Sequence, residues 1–224
     1  MTGEPNVPGP FAIKDCALVA LATGRRAQNL RELRDQVREI HAGSLFHHFW
    51  GGLLLPRFEE PEYNNDFAAW ARHCLHDNRL AERLAVIDPT DFPDLEALRR
   101  ELLEVIEERL EESEHVPWTK GDQQFQFVRS QVVVFDTHKR AETPEALGEM
   151  IPHLPVGSIF YHFIDARRRP PVRVDDFRAW LSGCGDRYAP LVDGLSAVDP
   201  FFATLTQLRA QLAAVFQEHL PRSG

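Results

Sequence analysis

The heptapeptide Gly43-Ser44-Leu45-Phe46-His47-His48-Phe49 returns as Gly157-Ser158-Ile159-Phe160-Tyr161-His162-Phe163, identical at five of seven positions. A chain that writes one motif twice is expected to build one local structure twice, so the repetition outranks any local reading. The two copies lie 114 residues apart. The same offset lays Phe11 on Phe125, Thr23 on Thr137, Arg26-Ala27 on Arg140-Ala141 and Leu33 on Leu147. Beyond the motif an offset of 110 brings Asp66, Phe67 and Trp70 onto Asp176, Phe177 and Trp180, and Cys74 onto Cys184. Leu98, Arg99 and Leu102 then meet Leu208, Arg209 and Leu212. The small changes of offset read as differences in loop length.

This colinearity predicts a polar, proline-rich lead-in over residues 1–10 and a first repeat over 11–112. A linker over 113–124 and a second repeat over 125–221 follow. Within the first repeat, Asn29 and Glu32 form a capping-box pair ahead of a stripe of Leu30, Leu33, Val37 and Ile40. The second opens the same helix at Thr143 with Pro144 in the first helical position, where its missing N–H costs nothing. In the motif, Gly43 and Gly157 permit a turn and Ser44 and Ser158 offer hydroxyl caps. Asn65 or Asp66 caps the Phe67–Trp70 helix, and a last helix runs from Asp94 to about Glu112.

Residues 11–22 and 125–136 are ambiguous. Cys16–Ala22 has the composition of a buried helix, whereas Gln131–Phe135 is β-branched. Equivalent elements should share a structure, and a lone strand would have no partner, so helix is preferred. The resulting expectation is an all-α protein: two tandem units of about five helices each, packed as a pseudo-two-fold pair.

Net charge of −9 argues against a general nucleic-acid role, which needs basic surface to neutralise phosphates. No run approaches the roughly 18 apolar residues of a membrane span. Three cysteines without Cys-x-x-Cys spacing, behind a polar N-terminus, point to reduced thiols and a cytoplasmic location.

The chemistry-bearing residues are few. His48 and His162 survive in both copies, alongside Asp66/Asp176 and Cys74/Cys184. Such a set could form a site, or the histidine could organise hydrogen bonds while Asp caps and Cys fills a small space. His47, with His41 nearby, occurs in the first copy only, and so does the pair His73 and His76 around Cys74. At i, i+3 on a helix those two could share a metal, though no His-Glu-x-x-His accompanies them. Glu59 and Glu60 are further carboxylates near the motif. Phosphate-binding glycine loops and nucleophile elbows are absent from the sequence. Trp50, answered by Ile164, would mark a partner surface if exposed, and Arg167-Arg168-Arg169 forms a basic loop opposite in charge to the acidic 50–65 segment.

In order, Phe11, Thr23-Gly24-Arg25, Ala27, Asn29-Leu30, Glu32-Leu33, Ser44 to His48, Asp66-Phe67, Trp70 and Ile87-Asp88 resemble a prokaryotic family of unknown function. The likeness is closer in the first copy, since His138 and Tyr161 break the pattern in the second. The resemblance implies a domain definition and no activity. With no complete catalytic constellation, the sequence favours a non-catalytic interaction or scaffold protein with a protein partner or self-association. The alternative is a metal- or small-ligand-binding protein, or an enzyme, built on His47 and His48. No cofactor is named by the sequence.

Overall fold

The computed structural model describes residues 8–54, 62–112, 118–169, 171–201 and 203–220. Its longest elements are two strands, β1 (Phe11–Asn29) and β2 (Lys120–Ala141), which pair with each other as a two-stranded sheet. The protein is therefore not all-α. Thr23 Oγ1 donates to the carbonyl of Phe127 and Thr137 Oγ1 to that of Ile13, both at 2.6 Å, so position falls along β2 as it rises along β1: the strands are antiparallel. The objection that a lone strand has no partner fails because the two equivalent segments are each other's partner. Pairing overrides the helical composition of Cys16–Ala22.

Contact density divides the chain into two compact units, Leu18–Val132 and Met1–Ala17 with Val133–Gly224. The sequence repeats are both contiguous, whereas the second of these units joins two separate segments. The first holds the helices between Leu30 and Glu111 with the opening of β2; the second holds the helices from Pro144 to His219 with the opening of β1. Linker residues from Lys120 onward already belong to β2.

In the Leu18–Val132 unit, α1 (Leu30–Glu39) starts at Asn29, whose side chain accepts the Glu32 N–H while Glu32 accepts the Gln28 N–H. Next come α2 (Ala42–Phe46), a π-helical turn (His47–Gly51) and the short α3 (Gly52–Leu54). Then α4 (Asp66–His73), α5 (Asn78–Ala85) and α6 (Leu95–Glu111) complete the set. The core joins Leu33, Val37, Leu45, Phe67, Leu98, Leu102 and Ile106 to Phe125 and Phe127 of β2. Buried Arg99 donates to the carbonyls of Val37 and Ile40, satisfying the end of α1.

The other unit has α7 (Pro144–Met150), capped by Thr143, then α8 (Val156–Ile159) and a second π-helical turn (Phe160–Ile164). Three further helices follow, α9 (Asp176–Leu181), α10 (Ala189–Ser196) and α11 (Leu205–His219). Arg209 donates to the Leu154 carbonyl, in parallel with Arg99 and Ile40. Phe11 and Ile13 of β1 are buried in this core. No helix among the described residues is long and apolar enough to cross a membrane.

One residue after each paired threonine the backbone turns left-handed, at Gly24 (φ 73°) and His138 (φ 61°). The amide two residues beyond each threonine bonds back to its hydroxyl, Arg25 to Thr23 and Lys139 to Thr137. His138 thus stands where glycine would be unstrained.

Candidate functional site

The motif does not build the helix its sequence suggests. His41, not Ser44, caps α2 with a side chain that accepts the Gly43 N–H at 2.9 Å. No side chain caps α8, which starts after Pro155. Ser44 and Ser158 are fully buried, and their hydroxyls meet no hydrogen-bond partner among the described residues. Nor do the motif glycines make turns. A Cβ on Gly43 would sit 2.9 Å from Arg129 Cγ and 3.2 Å from the Ser130 carbonyl; on Gly157 it would sit 2.4 Å from the Cys16 carbonyl. The missing side chain lets a strand backbone lie directly against the helix.

Each motif helix then widens into its π-turn, a rare geometry often found at functional sites. The wide turn buries Phe46, His48, Phe49 and Trp50 together. Trp50 is 3% exposed and stacked on Phe46; it is a core residue, not a surface anchor.

His48 is held at both ring nitrogens. Nδ1 meets Asp66 Oδ2 at 2.9 Å, and Nε2 accepts the backbone N–H of Val128 at 3.2 Å. His162 repeats this with Asp176 Oδ2 at 2.7 Å and the Lys14 N–H at 2.9 Å. An amide N–H can only donate, so each Nε2 carries a lone pair and the ring proton belongs on Nδ1. Asn65 and Asp175 supply the caps of α4 and α9, which leaves Asp66 and Asp176 free for the imidazoles. The rings pack among aromatics: His48 lies 4.7 Å from Phe125 and 5.3 Å from Phe67, and His162 lies 4.9 Å from Phe11. Each dyad is a clip joining helices to a strand. With both nitrogens engaged, His48 cannot bind a metal without giving up one of these bonds.

The two sites differ beside the dyad. Ligand atoms of His47, His48 and Asp66 all lie within 4.8 Å of one another. With His48 held at both nitrogens, a metal there would be left His47 and Asp66, themselves bonded to Ser130 and His48, short of the usual three or four ligands. His47 Nδ1 lies 2.5 Å from Ser130 Oγ; burial, then the neighbouring His48, push its pKa down against the pull of Asp66. In the other unit Tyr161 replaces His47, and Arg169 covers the carboxylate. Arg169 Nη2 donates to Asp176 Oδ2 at 2.7 Å and to the Tyr161 carbonyl at 3.0 Å, and the guanidinium lies 4.2 Å from the centre of the Tyr161 ring. Burial raises the Asp176 pKa, but bonds from His162 and Arg169 outweigh it and hold the carboxyl below its usual range.

The remaining candidates scatter. Helix α4 ends at His73, which faces Glu62 at 3.4 Å. His76 is left-handed (φ 56°) and meets Asp122 at 2.7 Å, so the two histidines do not share a helical face. Burial raises the thiol pKa of Cys74 and of Cys184, and Cys184 donates to the Trp180 carbonyl; neither joins the dyads. Arg167 and Arg168 are paired to Asp175 and Asp165 as Arg169 is to Asp176, so the basic run is tied inward. Glu59 and Glu60 fall outside the described residues. A cavity of about 380 Å³ beside Leu30, Leu75 and Arg79 touches none of the candidates except His76. Residues the sequence reading missed are Lys14, Val128, Ser130, Tyr161 alone and Arg169 as a cover. Val128 and Lys14 act through backbone, which leaves no signal; Arg169 was visible only as a charge.

The fold and the clips define a class: two long antiparallel strands and, in each unit, helices held to a strand by an Asp–His pair, with no catalytic constellation among the described residues. The chain belongs to the family of unknown function DUF5752, whose model matches residues 8–217. It is similar to OrfY from Thermoproteus tenax, a solved structure, at 30% identity and a TM-score of 0.82, over 96% of this chain and 97% of that one. No curated protein matches.

Proposed function

We propose that this chain is a non-catalytic interaction protein whose partner is a second copy of itself, joined through exposed strand. The observation that carries this is apolar surface on the hairpin. Val133, Val134 and Phe135 are 44%, 41% and 46% exposed in one unit, and Val19 and Leu21 are 45% and 41% exposed in the other. Consecutive strand residues point to opposite faces, so both faces are open at 133–135, while Val19 and Leu21 open one face of the other stretch. A two-stranded sheet also leaves one edge of each strand without a strand partner. Such edges template pairing with another chain. Residues 130–135 and 16–24 carry no charge, so an antiparallel second copy would bring no like charges together. A two-fold contact of this kind is the commonest closed arrangement.

The paired contacts His48–Val128 and His162–Lys14, Thr23–Phe127 and Thr137–Ile13, and Arg99–Ile40 and Arg209–Leu154 support a tandem duplication as the origin of the chain. Light scattering over a concentration series tests the association. A dimer that Val133→Lys with Phe135→Lys dissociates is expected; a wild type that stays monomeric at high concentration ends the reading.

A further inference from the structure

The exposed apolar stretch is written twice, because the 114-residue offset lays Val19 on Val133, Ala20 on Val134 and Leu21 on Phe135. The two stretches are not equal. At 133–135 every side chain is large, apolar and exposed, with Val133 and Phe135 on one face of β2 and Val134 on the other. In β1 the residues that alternate with Val19 and Leu21 are Ala20 and Ala22, so the second face carries methyl groups alone at 19–22. A helix or loop laid on the sheet would cover one face. A strand added at the edge meets neighbours on both, since cross-strand pairs form on each face. Valine and phenylalanine also favour strands, from which alanine is depleted. Arg129 precedes the uncharged run 130–135 and Asp136 follows it. An antiparallel second β2 sets the Arg129 end of one copy beside the Asp136 end of the other, twice by symmetry.

Given self-association through exposed strand, as proposed above, we infer that the joining element is β2 alone: residues 131–136 pair antiparallel with the same residues of a second copy. The product is a four-stranded sheet in the order β1, β2, second β2, second β1. One competent strand per chain closes the pair as a dimer. Two equal strands would instead let copies add at both edges without end.

Two double variants of the full chain are compared with the wild type by light scattering over a concentration series: Val133→Lys with Phe135→Lys in β2, and Val19→Lys with Leu21→Lys in β1. Expected is a wild-type dimer whose Kd rises at least about tenfold in the β2 variant and stays within about twofold in the β1 variant. Amide hydrogen exchange of the wild type at low and high concentration reads the same contact without a substitution. Exchange at 131–136 should slow with concentration, and exchange at 18–23 should not. A dimer lost in the β1 variant, slowing at 18–23, or assemblies larger than a dimer would each overturn the assignment to β2 while self-association stands. A dimer that survives the β2 variant, with no slowing at 131–136, would overturn it too and move the contact elsewhere. A wild type that stays monomeric at high concentration ends both readings.

Discussion

His48 Nε2 accepts the backbone N–H of Val128 across 80 residues of sequence. The amide belongs to a strand whose neighbours Phe125 and Phe127 are buried against the same imidazole. Truncating the ring would leave a part-buried donor unpaired and a cavity among aromatics. His48→Ala should therefore cost about 3 kcal/mol, the sum of an unsatisfied group and lost packing. Denaturant midpoints would give the cost, and faster hydrogen exchange at Val128 in particular would separate loss of the clip from general loosening.

The two motif glycines should tolerate a methyl group unequally. At Gly157 the new Cβ meets a backbone carbonyl at 2.4 Å, which can yield only if the strand moves. At Gly43 the nearest atom, at 2.9 Å, belongs to the flexible Arg129 side chain. Gly157→Ala should cost more than about 2 kcal/mol and Gly43→Ala about 1 kcal/mol. Equal midpoints for the two variants would show that the close approach does not decide the residue.

His138 occupies a left-handed conformation that its counterpart Gly24 adopts without strain. His138→Gly should stabilise the protein by about 1 kcal/mol, relief of strain outweighing the greater entropy of an unfolded glycine. Gly24→Ala should cost a similar amount. Thermal unfolding of both variants checks the pair.

What was legible in the sequence was local or repeated. The caps at Asn29 and Thr143 follow from short-range chemistry, and the structure has both. The recurrence of His48 with Asp66 marked a real contact, because both members carry side chains that a comparison of the copies can see. The strands were hidden for a different reason. Cys16–Ala22 has no β-branched residue except Val19, and its extended state depends on a partner more than 100 residues away. The middle of the hairpin is open on both faces, so it shows no alternation of apolar and polar residues for a reader to find. Trp50 misled because its counterpart is Ile164; both are simply buried.

Acid should weaken the fold in two separate windows. The folded-state pKa of His47 is lowered, so the unfolded chain binds that proton first. The stability tied to neutral His47 is complete above pH about 6.5 and falls as pH drops from there through the lower folded value. Asp176 is also lowered, and its contribution is complete above about pH 4 and lost as pH falls further. His47→Gln should flatten the upper window only and Asp176→Asn the lower only. Urea unfolding across pH 3 to 8 would show a single undivided slope if these groups were not responsible.

Neither residues 1–112 nor residues 118–224 should fold alone, although each segment carries helices of its own. A fragment spanning 1–112 keeps His48, Phe67 and Trp70 but lacks Phe125 and Phe127, which are 3% and 1% exposed in the intact chain. It also lacks the Val128 amide that His48 holds and the Gln123 carbonyl that accepts the Trp70 indole N–H at 2.8 Å. The fragment 118–224 loses the matching pieces: Phe11, buried against His162, and the Gly9 carbonyl that accepts the Trp180 N–H. Phe125 and Phe127 forgone on one side, and Phe11 and Ile13 on the other, amount to roughly 4 kcal/mol in each case, a large share of the 5–15 kcal/mol that holds an ordinary domain. Each fragment should thus show helical signal without cooperative melting, and an equimolar mixture should recover a cooperative transition. If residues 1–112 melted cooperatively unaided, the opening of β2 would be an accessory to that unit and not part of its core.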